Sequence, residues 1–158
     1  MAVQIRRVDQ SLPLPRYESA GAVGFDLVSR LAADIGPGEL ARIPANVVVE
    51  VPSGHALLIA SRSSTPARWG LLVPHGIGVI DQDYCGPDDE IHMQLLNFRS
   101  EPVHVPRGSR LAQGLLVGVA QARWLEVDSI RRPSRGGFGS TGGSAPEAVA
   151  EDLGETEP

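Results

Sequence analysis

Short apolar runs recur along this chain, and residues typical of turns separate them. Around the turn sequence Pro52-Ser53-Gly54, two such runs face each other at 46–51 and 55–60. In the stretch 91–95, apolar and polar residues alternate, which predicts a strand with one buried face and one wet face. Further runs begin at residue 3 and cover 108–118 and 122–127.

The same pattern argues against helices in the body of the chain. No internal stretch has apolar residues at helical period over three turns, and the one passable helix is 146–153, near the end. Many short strands with turns between them indicate a sandwich or a barrel. The chain has 18 Gly and 13 Pro, spread along its length, which supports frequent turns. We therefore predict an all-β fold.

Composition adds the size of the core and its chemistry. A length of 158 residues suits one domain, and 42% of the residues are hydrophobic but only 4% are aromatic. The core must therefore be aliphatic. The one cysteine, Cys85, allows no intrachain disulfide, and no apolar run approaches the length of a membrane span. We expect a soluble cytoplasmic protein with no membrane partner.

The acidic charge of the chain is concentrated at one end. All 14 basic residues are Arg, and five of the 19 acids fall in the last sixteen residues, where there is no Arg. The preceding part therefore has 19 − 5 = 14 acids against 14 Arg and is formally neutral. A neutral body without a basic stripe argues against a nucleic-acid partner. It is compatible with a small phosphorylated ligand held by a few Arg side chains.

Two carboxylates stand close together in the segment Gly78-Val-Ile-Asp-Gln-Asp-Tyr-Cys-Gly86. If the segment is extended, Asp81 and Asp83 face the same side and could do acid–base chemistry. The plainer interpretation is a hairpin in which both Asp residues bond to turn amides. On this segment alone, the plainer interpretation is preferred.

A second segment, Arg135-Gly-Gly-Phe-Gly-Ser-Thr-Gly142, offers free backbone amides, two hydroxyls and a guanidinium. These groups can cradle phosphate, although the segment could equally be a flexible linker. It is not a strand-to-helix nucleotide loop of the P-loop kind, because that motif needs a Lys. The His residues and Cys85 have no ligand spacing, so they do not indicate a metal site.

Taken in order, five segments resemble the five motifs of the trimeric dUTPase family. They are Ala20–Leu27, Arg62-Ser63-Ser64, Gly78–Tyr84, Arg110-Leu-Ala-Gln113 and Arg135–Gly142. The resemblance implies a distorted jelly-roll or β-barrel subunit at 1–130, a mobile arm at 131–143 and an acidic disordered tail at 144–158. It also implies a homotrimer with active sites shared between subunits, which hydrolyses dUTP to dUMP and pyrophosphate.

The resemblance assigns roles to individual residues. Asp81 would activate the water that attacks the α-phosphorus, and Tyr84 would lie against the deoxyribose and exclude a 2′-hydroxyl. Asp26 would hold waters of a Mg²⁺ ion that the triphosphate carries, in keeping with the preference of Mg²⁺ for retained waters. Arg110 would either hold chains together or act at the site. The implied substrate-binding residues are Arg62, Ser63, Ser64, His75, Gly78, Val79, Ile80, Tyr84, Gln113, Arg135, Phe138, Gly139, Ser140 and Thr141.

Within that set, the backbone between about His75 and Ile80 would read the edge of the uracil. In the arm, Arg135 would pair with the γ-phosphate and Phe138 would close over the base, so the arm would act as a lid that excludes water. Two departures stand out: His75 where many relatives have Asn, and the insertion 87–89 ahead of Glu90.

Three other functions fit parts of the pattern. A dCTP deaminase shares the implied fold, but in its frame Gln94 occupies the position of a Glu, and a neutral amide cannot shuttle a proton. A non-catalytic nucleotide-binding regulator could dispense with Asp81 or the arm, and both are present here. A carbohydrate-binding sandwich would show aromatic platforms, which two Trp, two Tyr and three Phe scarcely supply.

Overall fold

The computed structural model describes residues 1–137, and within them it contains eleven short strands and one helix of a single turn. The elements are β1 (Ile5–Arg7), β2 (Phe25–Val28), β3 (Ala33–Ile35), β4 (Leu40–Pro44), β5 (Val47–Val49), β6 (His55–Ser61), α1 (Thr65–Trp69), β7 (Leu71–Leu72), β8 (Ile77–Ile80), β9 (His92–Asn97), β10 (Val103–Val105) and β11 (Arg110–Gly118). No helix in this part of the chain is long and apolar enough to cross a membrane. The predicted all-β class is confirmed.

The strands form four antiparallel sheets. The largest has the order β2-β11-β6-β8, the next has the order β4-β9-β7, and two-stranded sheets join β1 to β5 and β10 to β3. Strands distant in sequence are neighbours throughout, as when β11 lies between β2 and β6. The sheets enclose a single hydrophobic core in the manner of a distorted jelly roll.

The core is aliphatic, as the scarcity of aromatic residues predicts. Leu27, Leu57, Met93 and Leu111 are among the side chains with almost no exposed surface. Strand β9 shows the predicted alternation: Met93 and Leu95 point inward, while His92, Gln94 and Leu96 alternate with them toward the other face. The inward set anchors β9, and the outward set is free to line a site.

Helix α1 was not indicated by the apolar pattern, because a single turn has no room for a helical repeat. It contains Pro66 in its first turn and ends at Gly70, whose φ of 66° is readily adopted by glycine. The buried Thr65 hydroxyl donates to the Leu111 carbonyl at 2.7 Å. The Arg99 guanidinium donates to the Ala67 and Arg68 carbonyls at the other end. Both ends of the helix are therefore fixed to the body.

The first compact unit spans Met1–Ala122, and a second begins at Arg123. The apolar run 122–127, which predicts a strand, forms none, and Trp124 and Leu125 are 90% and 85% exposed. The predicted strand was wrong because the run pairs with no neighbouring strand in the described part of the chain. A local apolar pattern does not supply the hydrogen-bonded partner that a strand needs. The passable helical stretch at 146–153 and the acidic tail that contains it, predicted to be disordered, lie outside the described residues.

One polar cluster is built into the core next to β5. Glu90 is 7% exposed and receives two hydrogen bonds from the Arg30 guanidinium, both 2.8 Å long, and a third from the Asn46 backbone N–H at 2.8 Å. Asn46 has a φ of 68°, and its amide side chain bonds to the backbone of Asp9 in both directions. Burial alone would raise the pKa of Glu90, but the bonds from Arg30 and Asn46 lower it below the ordinary value.

Candidate active site

A row of residues crosses the outer face of the four-stranded sheet. Asp26 on β2 is the direct partner of Gln113 on β11, which in turn is paired with Ala60 on β6. The Gln113 amide donates to the Ser61 carbonyl at 3.1 Å. A Cβ atom at Gly24 would lie 2.7 Å from the Gln113 side-chain oxygen, so a larger residue there would displace it. Two of the predicted motifs, far apart in sequence, therefore meet here.

Arginine side chains surround Asp26 on this row. The Arg62 Nε atom lies 2.7 Å from one carboxylate oxygen, and the Arg110 Nη1 atom lies 3.2 Å from the other. Arg110 also lies 3.3 Å from Glu18. A hydrogen bond from Arg16 and the positive charge of Arg110 hold the pKa of Glu18 below its usual value. The cluster is a chain of alternating positive and negative charges.

Next to this cluster, the chain turns from β6 into α1 and exposes two hydroxyls. Ser63 and Ser64 are both exposed, and neither side chain bonds to another group within residues 1–137. Hydroxyls in this state can donate to an incoming oxygen without breaking an existing bond. We call the set Asp26, Arg62, Ser63, Ser64 and Gln113 the phosphate end, after the ligand that the family resemblance implies for it.

The predicted base-reading segment is a strand connection that runs along β6. Gly78 is paired with Ile59 and Ile80 with Leu57. A Cβ atom at Gly78 would lie 3.2 Å from the Ile59 Cβ and 3.4 Å from the His75 Cε1 atom. The His75 ring therefore lies close to Gly78, and Val79 is exposed on the same strand, β8.

Asp81 and Tyr84 follow where β8 ends. The chain turns there, with Tyr84 N–H donating to the Asp81 carbonyl at 3.4 Å, so Asp81 and Asp83 do not lie on an extended strand. The turn of the plainer interpretation is therefore present, but among the described residues the carboxylates of Asp81 and Asp83 accept no hydrogen bond from a turn amide. The Tyr84 hydroxyl donates to the Glu90 carbonyl at 3.1 Å and fixes the ring.

A cleft of about 490 Å³ opens beside Asp81 and Tyr84. It is also lined by Arg42, His92 and Gln94, which belong to none of the five motif-like segments. Arg42 on β4 and Gln94 on β9 are direct cross-strand partners. The available signal was the alternation of β9, which turns its polar positions away from the core; nothing in sequence, however, connects β4 and β9 to Asp81.

The insertion 87–89 forms a closed turn. Gly86 N–H donates to the Asp89 carboxylate at 2.7 Å, and Asp89 N–H donates to the Gly86 carbonyl at 3.2 Å. The Arg6 guanidinium bonds to the Pro87 carbonyl. Glu90, immediately after the turn, remains in its buried position. The insertion is therefore absorbed at the surface without disturbing the residue that supports Tyr84.

Asp81 and the phosphate end occupy different ends of the same sheet. By the register of β6 and β8, Asp81 falls opposite Ala56, whereas Arg62 and Ser63 follow Ser61 at the far end of β6. From Ala56 to Ser61, the last residue of β6, the strand advances five residues, which amounts to about 16 Å, and Arg62 and Ser63 lie beyond that point. The side chains of Ser63 and Asp81 are too short to span this distance. Within one chain, the two side chains therefore cannot contact the same phosphate group.

The donor set also bears on metal binding. Within residues 1–137, no group of three or more His, Cys, Asp or Glu side chains could hold a metal ion by itself. Mg²⁺ often keeps several waters and binds through substrate phosphates rather than through a protein cage. The single carboxylate of Asp26, which keeps further lone pairs beside its Arg partners, fits contact with waters of such an ion.

The remaining predicted site residues lie toward the end of the chain. Arg135 is exposed in the second unit, where the neighbouring Gly136 N–H donates to the Ser134 hydroxyl at 3.1 Å. Phe138, Gly139, Ser140 and Thr141 lie outside the described residues.

Comparison with known proteins places these features in one family. The family model described as dUTPase matches residues 10–142. The chain is similar to the deoxyuridine 5'-triphosphate nucleotidohydrolase of Thermobifida fusca, at 42% identity over 90% of this chain and 80% of the relative. It is also similar to that of Methylocella silvestris, at 37% identity over 92% and 94%. Among solved structures, the dUTPase of Streptococcus mutans matches with a TM-score of 0.70 and 28% identity, over 76% of this chain and 98% of that one.

Proposed function

This chain belongs to the dUTPase family, and from that membership we propose that its active site is completed between copies, with Asp81 of one acting on a triphosphate held by another. The enzyme hydrolyses dUTP to dUMP and pyrophosphate and uses Mg²⁺. The observation that carries the proposal is the separation of Asp81 from the phosphate end by about 16 Å of strand.

Asp81 is the proposed general base. Its carboxylate takes a proton from a bound water, whose oxygen forms a bond to the α-phosphorus as the bond to the bridging oxygen breaks and pyrophosphate leaves. Water is a poor nucleophile, so a positioned base contributes ~10²–10⁴ in rate. The side chain has no hydrogen-bond partner within residues 1–137, which leaves it available for the water. Mg²⁺, when bound, supplies charge neutralisation at the phosphates.

Tyr84 and the segment 75–80 are proposed to select the substrate. The Tyr84 ring is held by the bond from its hydroxyl to the Glu90 carbonyl, so it presents a fixed face to a sugar. A ring held against the deoxyribose leaves no volume for a 2′-hydroxyl. The backbone of 75–80 reads the uracil edge, and His75, beside Gly78, offers one ring N–H in place of a side-chain amide.

At the phosphate end, Ser63, Ser64 and Gln113 donate hydrogen bonds to phosphate oxygens, and Arg62 supplies positive charge. Asp26 contacts waters of the metal. Because its two oxygens are already paired with Arg62 and Arg110, binding shifts these arginines from Asp26 toward the phosphates. The charge chain thus keeps the carboxylate in place before the substrate arrives.

We propose further that the arm acts as a lid, with Arg135 on the γ-phosphate, Phe138 over the uracil, and Gly139, Ser140 and Thr141 at phosphate oxygens. Removing residues 135–158 is expected to lower kcat/KM by about 10² or more, because the lid excludes water and adds charged contacts. Removing only 144–158 should leave kcat/KM unchanged. Steady-state kinetics of both truncations, with circular dichroism to check folding, test this; equal losses in both would contradict it.

We also propose that three copies assemble as a homotrimer, in which each site combines two or more chains. The Asp81→Asn variant and the double variant Ser63→Ala/Gln113→Ala are denatured, mixed and refolded together. Hydrolysis of dUTP should then be restored, because some sites receive Asp81 from one chain and Ser63 and Gln113 from another. In a cyclic trimer, random mixing leaves about a quarter of the sites intact. The measurement is dUTP turnover before and after co-refolding.

The matched control for this experiment mixes the two variants after separate refolding, which should give no gain. Recovery near a quarter of wild-type turnover, only after co-refolding, supports shared sites. If co-refolded mixtures stay as inactive as their components, each chain must carry its own complete site, and the arrangement between copies is wrong.

A further inference from the structure

Beside the phosphate end lies a second cleft, of about 430 Å³, which none of the predicted motifs accounts for as a whole. Three arginine residues line it, Arg62, Arg68 and Arg110, together with Trp69 and Ser109. Arg62 and Arg110 belong to the segments that resemble family motifs. Arg68 does not, because the second of those segments ends at Ser64.

The helical turn brings Arg68 to the same face as Ser64. The two residues are four apart, and Arg68 N–H donates to the Ser64 carbonyl at 2.9 Å. Side chains on a helix lean toward its N-terminus, so the Arg68 stem is directed back toward the exposed hydroxyls of the phosphate end. Its guanidinium carbon lies 5.3 Å from the centroid of the Trp69 ring, an attractive cation–π contact that restrains it.

The platform under Arg68 is rigid. Thr65 bonds to the carbonyl of Leu111, the residue after Arg110, so the helix is held to the strand that carries another arginine of the cleft. Arg99 bonds to the Arg68 carbonyl itself. A ligand in the cleft would therefore meet groups whose positions are set before it binds, which lowers the entropic cost of binding.

The charges in the cleft are unbalanced. Arg62 and Arg110 are both paired with Asp26, and Arg110 also with Glu18. Arg68 is exposed and makes no ion pair within residues 1–137. The positive charge of Arg68 is therefore not compensated by a carboxylate within residues 1–137. The neighbouring phosphate end is proposed to bind phosphate groups, so a phosphate chain is the anion that best fits this charge.

We propose that Arg68 binds the β- and γ-phosphates of dUTP and the pyrophosphate formed from them, an inference that rests on the proposed phosphate end. The α-phosphorus must remain open to the water held by Asp81, so the cationic cleft takes the leaving part of the substrate. Arg68 thus positions the leaving group and delays its release, while Ser63 and Gln113 remain nearer the α-phosphate.

The test compares Arg68→Gln with the wild-type enzyme in the presence of Mg²⁺. The substitution should raise the KM for dUTP and the inhibition constant of inorganic pyrophosphate by about tenfold each, the usual effect of losing one charge-assisted hydrogen bond. Inhibition by dUMP, which lacks both distal phosphates, should not change. Arg68→Lys should recover part of the pyrophosphate affinity, and Arg123→Gln is the control for loss of one positive charge.

Every outcome of this comparison either supports or contradicts the proposed role of Arg68. Selective loss of pyrophosphate affinity, with recovery in Arg68→Lys, supports the inference. Unchanged pyrophosphate inhibition, equal weakening of dUMP, the same loss in Arg123→Gln, or no pyrophosphate inhibition of the wild type would overturn it. Turnover of dUTP is measured independently, in the wild-type enzyme and in the variants used for co-refolding. These measurements test the proposed active site, so its failure would be distinguished from failure of the proposed role of Arg68.

Discussion

Asp81→Asn should lower kcat by ~10²–10⁴ and leave the affinity for nucleotide largely intact, because the amide keeps the shape of the carboxylate but cannot accept a proton from water. The structure indicates that Asp81→Asn should fold almost as stably as the wild-type protein. Asp81 is exposed, lies in a turn after β8, and accepts no hydrogen bond from the described residues that an amide would break. The measurement is pyrophosphate release together with the affinity for a non-hydrolysable dUTP analogue.

Asp83→Asn is the matched control for this substitution. It removes the same charge two residues further along the same turn and should retain turnover close to that of the wild type. Undiminished activity in Asp81→Asn would remove the general base from the mechanism. Similar losses in both variants would mean that the charge of the turn, and not a proton transfer at Asp81, is what the reaction needs.

The fold could be predicted from the sequence where local pattern and burial coincide. Alternation at 91–95 indicated β9 correctly because Met93 and Leu95, two residues apart, both point into the core. The apolar run 122–127 satisfied the same local criterion and forms no strand, since a strand needs a partner that local sequence does not specify. Helix α1 escaped notice because one turn, fixed by Thr65 and Arg99, has no periodicity.

The site could be predicted only as far as its residues lie in contiguous motifs. Asp26 and Gln113 were assigned by resemblance to separate motifs, and β2–β11 pairing makes them neighbours. Arg42 and Gln94 reach the cleft of Asp81 through pairing of β4 with β9, and no short motif contains both. Long-range pairing creates these juxtapositions, so they became visible only in three dimensions.

A large effect on stability is expected from a substitution at Glu90. Glu90→Gln should lower the free energy of unfolding by about 3 kcal/mol, because it breaks a buried pair and leaves the Arg30 guanidinium without its charge partner. Against a typical domain stability of about 5–15 kcal/mol, that loss is large. Urea unfolding at one fixed protein concentration measures it. Glu101→Gln, at an exposed acid, is the control and should change stability by less than about 0.5 kcal/mol.

The pH dependence of the same pair separates its charge from its packing. The pKa of Glu90 is lowered in the folded protein from an ordinary value of 4.5, so its ionisation stabilises the fold above pH 4.5, and that contribution is lost as the pH falls through the folded pKa. Glu90→Gln cannot ionise, so the difference in stability between it and the wild type should shrink below pH 4.5. A difference that stays constant with pH would show that the side chain contributes through packing and hydrogen bonding alone. Arg30→Met added to Glu90→Gln should recover part of the loss at neutral pH, because no unpaired charge then remains in the cluster that supports Tyr84.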